Sequence, residues 1–329
     1  MSGLKVEHLS VEFQTEAGVL QAVRDVSFSL QPGHTLALVG ESGSGKSVTG
    51  RAILGILESN AHVRQGQILY EGGDLLQFSE AELVALRGSR IAMIFQDPLS
   101  SLDPLMRVGR QITEVIRIKC GMGRSAAREK ALRLLREVGI QEPERCFSQF
   151  PHQLSGGMRQ RVVIAIALAA DPEILICDEP TTALDVTIQA QILEILERLK
   201  QQRQLSMLFI THDFGVVAAM ADDVAVMYAG KIVEYGTVEE IFYDPCHPYT
   251  RALLRSTPDP ESTGRLYAIP GTPPNMLHPP QGDAFAPRNP RAMEIDYLQA
   301  PPAFFVSPTH WAATWLLHPD APKGEKQDG

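Results

Sequence analysis

The residues Gly40-Glu-Ser-Gly-Ser-Gly45-Lys46-Ser47 fit the spacing G-x-x-x-x-G-K-[ST]. Glycines in such a run let the backbone wrap phosphate oxygens with its N–H groups pointing inward, and a helix beginning at its end adds a positive terminus. In that arrangement Lys46 reaches the terminal phosphates and Ser47 ligates magnesium. Gly40, Ser42, Gly43, Gly45 and Val48 complete the expected phosphate-side set. A second cluster, Ile174-Leu-Ile-Cys-Asp178-Glu179, is an apolar run ending in two acids. It would bring Asp178 near the same metal ion and leave Glu179 to polarise an attacking water, as general base or as orienting group. Together the two clusters imply nucleotide binding.

Such residues must be held by buried strands that feed helices. Thr35–Val39 is a solid apolar run, as expected of a strand covered on both faces, and the helix-like run Val48–Leu57 follows the loop. Glu173–Cys177 and Leu205–Ile210 read as further buried strands, with an amphipathic helix over Thr187–Lys200 between them. Nearer the start, Leu4–Phe13, Val26–Leu30, Gly66–Tyr70 and Arg90–Phe95 read as strands. The alternation of Val26, Phe28 and Leu30 marks a half-buried one. From about residue 98 to 170 the pattern is helical, with apolar residues three and four apart in Val108–Ile118 and Ala126–Val138. This alternation predicts an α/β fold with a largely parallel sheet covered on both sides. Proline and glycine crowd Thr257–Gly282, predicting a linker into a small appended segment, and the polar end Lys323–Gly329 is expected to fray. No internal repeat is visible.

The chain has 329 residues, 30 Lys plus Arg and 39 Asp plus Glu, for a net charge of −9. That balance is wrong for gripping a phosphate backbone over a broad surface, so no nucleic-acid partner is expected. With 44% hydrophobic and 21% charged residues it can bury an ordinary core. The longest apolar stretch, Val162–Ala170, is roughly half the ~20 residues of a membrane span. The opening Met-Ser-Gly-Leu-Lys-Val-Glu lacks a signal-peptide core, so a soluble cytosolic protein is expected. Cysteines 120, 146, 177 and 246 have no short spacing, which predicts reduced thiols.

About twenty residues before the acid pair stands Leu154-Ser155-Gly156-Gly157-Met158-Arg159-Gln160. A helix-capping serine before two glycines and a cationic helix makes a second anion cradle, though spacing alone does not say whose phosphate it holds. The septet resembles the signature motif of ATP-binding-cassette ATPases, and the motif order over about residues 4–250 is similar to theirs. The resemblance implies a P-loop NTPase cassette over 1–258, with a RecA-like core, an antiparallel β subdomain and a helical subdomain at about 97–160. A C-terminal extension over 259–329 would follow. ATP and Mg2+ are the implied cofactors. Phe13 would stack on adenine. Gln96, in Ile94-Phe-Gln-Asp-Pro98, would contact magnesium and the attacking water. Asp185 would lie in a loop crossing a dimer interface, and His212, in Ile210-Thr-His-Asp213, would sense the γ-phosphate. The implied catalytic set is Glu179, His212 and Gln96, and the metal set is Ser47, Gln96 and Asp178. Two such cassettes close head to tail around ATP, so Ser155, Gly156 and Gly157 would serve a partner's site, and this single cassette needs a second.

Three stretches narrow the branch. His247-Pro-Tyr-Thr-Arg-Ala-Leu-Leu254, Ile269-Pro-Gly-Thr-Pro-Pro274 and Pro180-Thr-Thr-Ala-Leu-Asp-Val-Thr-Ile-Gln-Ala190 resemble ATP-binding subunits of the peptide and nickel importer group. The likeness is greatest to the D-type subunit of oligopeptide importers. It implies ATP-powered import of oligopeptides or, alternatively, of dipeptides or nickel chelates. The implied partners are a second ATPase subunit (a distinct F-type paralogue, with a homodimer open on geometry), two membrane permease subunits and an extracytoplasmic binding protein. The permeases would dock near Gln96–Arg110, and the chain would sit peripherally at the cytoplasmic face. Soluble cassettes that act on DNA or ribosomes usually carry a second cassette, a long coiled coil or a basic extension, none of which is seen. Many relatives hold four tail cysteines resembling an iron–sulfur site, where thiolates are the ligands. By register Asp283, Asn289, Asp296 and Thr314 stand there instead, so no cluster is expected. Phe285, Phe304, Phe305, Trp311 and Trp315 are expected to pack in its place.

Overall fold

A computed structural model describes residues 3–182, 184–257 and 267–322. The expected boundary at 258/259 and the end Lys323–Gly329 lie outside the described residues.

Thr35–Val39 is buried at every position because it lies inside a sheet, parallel to Ser206–Thr211 on one side and Asp223–Tyr228 on the other. Ile174–Asp178 and Ile91–Ile94 extend the parallel set beyond Ser206–Thr211. Parallel strands end at the same edge, and that fact assembles the site. Leu38 is level with Ile210, and Ile210 with Asp178, so the glycine loop, the acid pair and His212 all leave the sheet together. The helix after the loop is Lys46–Ile53, shorter than the sequence pattern suggests, and Gly55 in the left-handed region follows it.

A second sheet is antiparallel, in the order Gly18–Leu30, Leu4–Thr15, Ala61–Tyr70, Gly73–Asp74. Its register slips between Val6 and Leu9, around His8 in the left-handed region, which keeps both flanking apolar side chains buried. Its inner face packs with Ile53, Ile176 and Ile210 and carries Phe13 toward the loop. The helical part comprises Val108–Cys120, Arg124–Glu137, Pro143–Ser148 and Gly156–Ala167, around Ile112, Ile116, Ala131, Leu135 and Val162.

The last segment is stitched into the main sheet. Lys231–Thr237 pairs antiparallel with Asp223–Tyr228 and also takes on Trp311–Ala312, to which Phe304–Phe305 adds. Phe285 is buried against Tyr228 and Tyr249, Trp311 stacks on Tyr235, and Phe304 meets Trp315 edge-on. Phe305 departs from the expected packing. It is 74% exposed, because its neighbour Phe304 takes the inward side of the pleat.

Candidate active site

The loop geometry requires glycine. Gly45 has φ 103°, and a Cβ there would stand 2.4 Å from the Ala22 carbonyl oxygen; one on Gly40 would stand 2.0 Å from that of Met227. Lys46 is buried, and its ammonium donates to the carbonyls of Gly40 (2.7 Å) and Glu41 (2.9 Å). Burial lowers its pKa, while the charges of Glu179, Asp178 and Glu41 act the other way.

Ser47 Oγ donates to Asp178 Oδ1 at 2.7 Å. Asp178 is buried at the end of its strand, and that burial raises its pKa, with the Ser47 hydrogen bond opposing. The next residue turns sharply. Glu179 has φ 47°, a region costly for a side chain with a Cβ, and its N–H donates to the Ile210 carbonyl at 2.9 Å. Its carboxylate is held from three directions: Gln96 Nε2 (3.0 Å) and Thr182 Oγ1 (2.9 Å) donate to Oε2, and His212 Nδ1 lies 3.3 Å from Oε1. A hydroxyl and a carboxylate oxygen in contact form a hard-oxygen pair suited to Mg2+. An oriented carboxylate beside them can accept a proton from water.

A cavity of about 630 Å³ is lined by Phe13, Ser42, Gly43, Gly45, Lys46, Ser47, Val48, Gln96 and Glu179. An adjoining one of about 600 Å³ is lined by Gly40, Gln96, Glu179 and His212. Thus the residues expected to act on one nucleotide are brought together. Ser155 and Gly157 instead line a separate cavity of about 440 Å³ with no loop residue in its wall. Ser155 caps the helix Gly156–Ala167, Asp185 caps Val186–Arg203, and Gly156 and Gly157 face Leu184 and Ile188. Sequence reasoning missed Thr182, although it lies in the quoted Pro180-Thr-Thr stretch. It also missed Arg288, which no local spacing marks, bridging to Glu41 inside the loop.

The pattern of the ABC transporter family matches residues 23–182, and that of the oligopeptide/dipeptide transporter C-terminal region matches 233–295. The chain is 58% identical over 325 residues to the oligopeptide transport ATP-binding protein OppD of Bacillus subtilis, covering 98% of this chain and 91% of that protein. It is 57% identical over 327 residues to the dipeptide transport ATP-binding protein DppD of Lactococcus lactis, covering 99% and 94%. Among solved structures, it is similar to a dimeric ATP-binding cassette in a post-hydrolysis state bound to ADP and Pi. There the TM-score is 0.65 and the identity 25%, over 71% of this chain and 98% of that one.

Proposed function

The chain belongs to the ABC transporter family, and from that premise we propose that Gly40–Ser47, Asp178 and Glu179 bind and hydrolyse ATP to power import of oligopeptides. The observation that carries the reading is the carboxylate of Glu179, fixed by Gln96, Thr182 and His212 beside the contact between Ser47 and Asp178. Gly40, Ser42, Gly43, Gly45, Lys46 and Val48 bind the phosphates, and Phe13 faces the base. Ser47 and Asp178, with Gln96 next to them, would hold Mg2+, which when bound neutralises phosphate charge. Glu179 accepts the proton of the attacking water, and His212 fixes its orientation from the other oxygen. Fixed donors cost no reorganisation at the moment of reaction.

Ser155, Gly156, Gly157 and Asp185 stand apart from this cavity, which supports their use by a second cassette closing head to tail. That cassette is a distinct F-type paralogue in this reading. Two permease subunits and an extracytoplasmic binding protein complete the machine, with the chain peripheral at the cytoplasmic face. No helix among the described residues is long and apolar enough to cross a membrane. A groove of about 440 Å³ between sheet and helical part is lined by Phe95, Val115 and Ile166, and within Gln96–Arg110 the side chains of Leu99 (59% exposed) and Leu105 (87% exposed) face solvent. These apolar groups suit a permease loop. Asp283, Asn289, Asp296 and Thr314, which the resemblance sets at the tail-cysteine positions, are all buried and none is a thiolate. Side-chain atoms of three of them, Asp283 Oδ2, Asn289 Nδ2 and Asp296 Oδ1, lack a partner. This donor set does not fit an iron–sulfur cluster.

The test is uptake of a labelled oligopeptide by cells carrying wild type or Glu179→Gln. Uptake should be lost with the variant, and retention would overturn the reading. Similarity to the dipeptide protein favours a second reading, the same machine carrying dipeptides. Competition between unlabelled dipeptide and oligopeptide separates the two.

A further inference from the structure

The nucleotide cavity has a wall that comes from the C-terminal segment. Besides the loop and Phe13, its lining includes Pro273, Pro274, Asn275 and Met276. This strap is tied at both ends. Arg288 Nε donates to the Pro270 carbonyl at 2.8 Å while its other nitrogens grip Glu41 in the loop. At the far end the Met276 carbonyl accepts the Gln21 N–H at 3.1 Å. Gln21 adjoins Leu20, which is the cross-strand partner of Phe13 and also lines the cavity. Met276 is therefore anchored beside the strand pair that carries Phe13 and Leu20 into the cavity. Consecutive prolines restrict the strap's backbone before any ligand arrives, and the backbone of Asn275 closes a turn by accepting the His278 N–H at 3.1 Å.

Resting on the reading of the loop as a phosphate site, we infer that the strap Pro273–Met276 forms part of the base-binding wall for a purine nucleoside triphosphate, with Met276 as the positioning residue. A thioether is unbranched and polarisable, so it conforms to a flat ring and adds sulfur–aromatic contact. Met276 is half-buried, packed against the cluster that holds Tyr228, Tyr249 and Phe285 while also lining the cavity. The cassette's own base contact would then be one jaw of two, and the C-terminal segment would set how tightly the nucleotide is held.

The experiment compares calorimetric binding of ATP with that of inorganic tripolyphosphate, which has no base, to the full chain. Met276→Ala should weaken ATP roughly two- to thirteenfold, as the thioether's apolar and sulfur–aromatic contact with the base is lost, and leave tripolyphosphate unchanged. Met276→Leu, which keeps an apolar wall without the sulfur, should restore part of the ATP affinity. Unchanged ATP binding in Met276→Ala would overturn the inference. So would an equal loss for both ligands, which would mean that the strap acts through the fold of the loop. Lys46→Ala tests the reading underneath. It should weaken both ligands, and if it weakens neither, the loop is not the phosphate site and the inference falls with it.

Discussion

Arg288 and Glu41, 247 positions apart in the chain, are joined by two parallel hydrogen bonds of 2.7 and 2.9 Å. The arginine side chain is 4% exposed and the glutamate 26%, and the guanidinium also reaches the Tyr228 hydroxyl at 3.2 Å. Removing the arginine leaves the Glu41 carboxylate only partly solvated and without its two-pronged partner. Arg288→Ala is therefore expected to cost about 3 kcal/mol in denaturant unfolding. Arg288→Lys should not recover it, because a single ammonium cannot reproduce the two-pronged contact. A loss under about 1 kcal/mol would show that the pair contributes little to holding the tail on the loop.

Glu179→Gln keeps the size of the side chain and its contact with Thr182 while removing the negative charge that would take a proton. ATP hydrolysis by the assembled transporter should fall by roughly 10²–10⁴-fold, with ATP binding retained. Steady-state phosphate release and equilibrium binding measure the two separately. Undiminished hydrolysis would assign the base elsewhere.

Gly45→Ala would set a methyl 2.4 Å from the Ala22 carbonyl oxygen at a φ that alanine avoids. The backbone must move, and the loop's N–H groups move with it. ATP affinity should drop at least about tenfold by calorimetry, a loss of ~1.4 kcal/mol, while far-ultraviolet circular dichroism stays native. Normal affinity would mean that those N–H groups do not define the phosphate site.

His310 in the tail meets Glu234 of the main sheet at 2.8 Å, both side chains nearly sealed from solvent. The hydrogen bond to Glu234 raises the His310 pKa, burial opposes, and the charges of Glu234, Glu240 and Asp244 add to the rise. A raised histidine pKa means that the folded state favours the proton. The stabilisation is complete below the ordinary value near 6.5 and fades as pH climbs through the folded value. The gap in unfolding midpoint between wild type and His310→Gln should thus be wider at about pH 6 than at about pH 9. A gap independent of pH would show that the pair acts as a neutral hydrogen bond.

Much of this site was legible in the sequence because its parts are local. The loop, the buried strand before it and the acid pair each declare themselves within ten residues, and the parallel sheet then brings their ends to one edge. The tail was legible only in its aromatic packing, not in its strand pairing. Phe304–Phe305 and Trp311–Ala312 are too short to carry a period-two signal, so their addition to Lys231–Thr237 could not be read. Phe305 looks like its neighbour in composition, and only the pleat decides that it faces out. The Arg288 contact with Glu41 depends on how a proline-rich stretch returns to the loop, and no sequence spacing encodes that path.

Ser155 gives the sharpest test of a two-cassette site. It is exposed at the start of the helix Gly156–Ala167, its hydroxyl accepting the Met158 N–H, and its cavity contains no residue of this chain's own phosphate loop. The free N–H groups and positive end of that helix would suit a phosphate, yet the nearest loop in the same chain lines a different cavity. Ser155→Arg should therefore leave ATP affinity of the isolated chain unchanged. With the catalytic acid of the second ATPase subunit changed to glutamine, so that unhydrolysed ATP in that subunit's loop would hold the two cassettes together across Ser155, the same change should sharply weaken ATP-dependent association, read by size-exclusion chromatography with light scattering. If Ser155→Arg instead weakens ATP binding by the isolated chain, the serine acts within its own subunit, and the head-to-tail arrangement is wrong for this protein. If association survives with affinity intact, the partner's nucleotide is gripped by other groups of this chain.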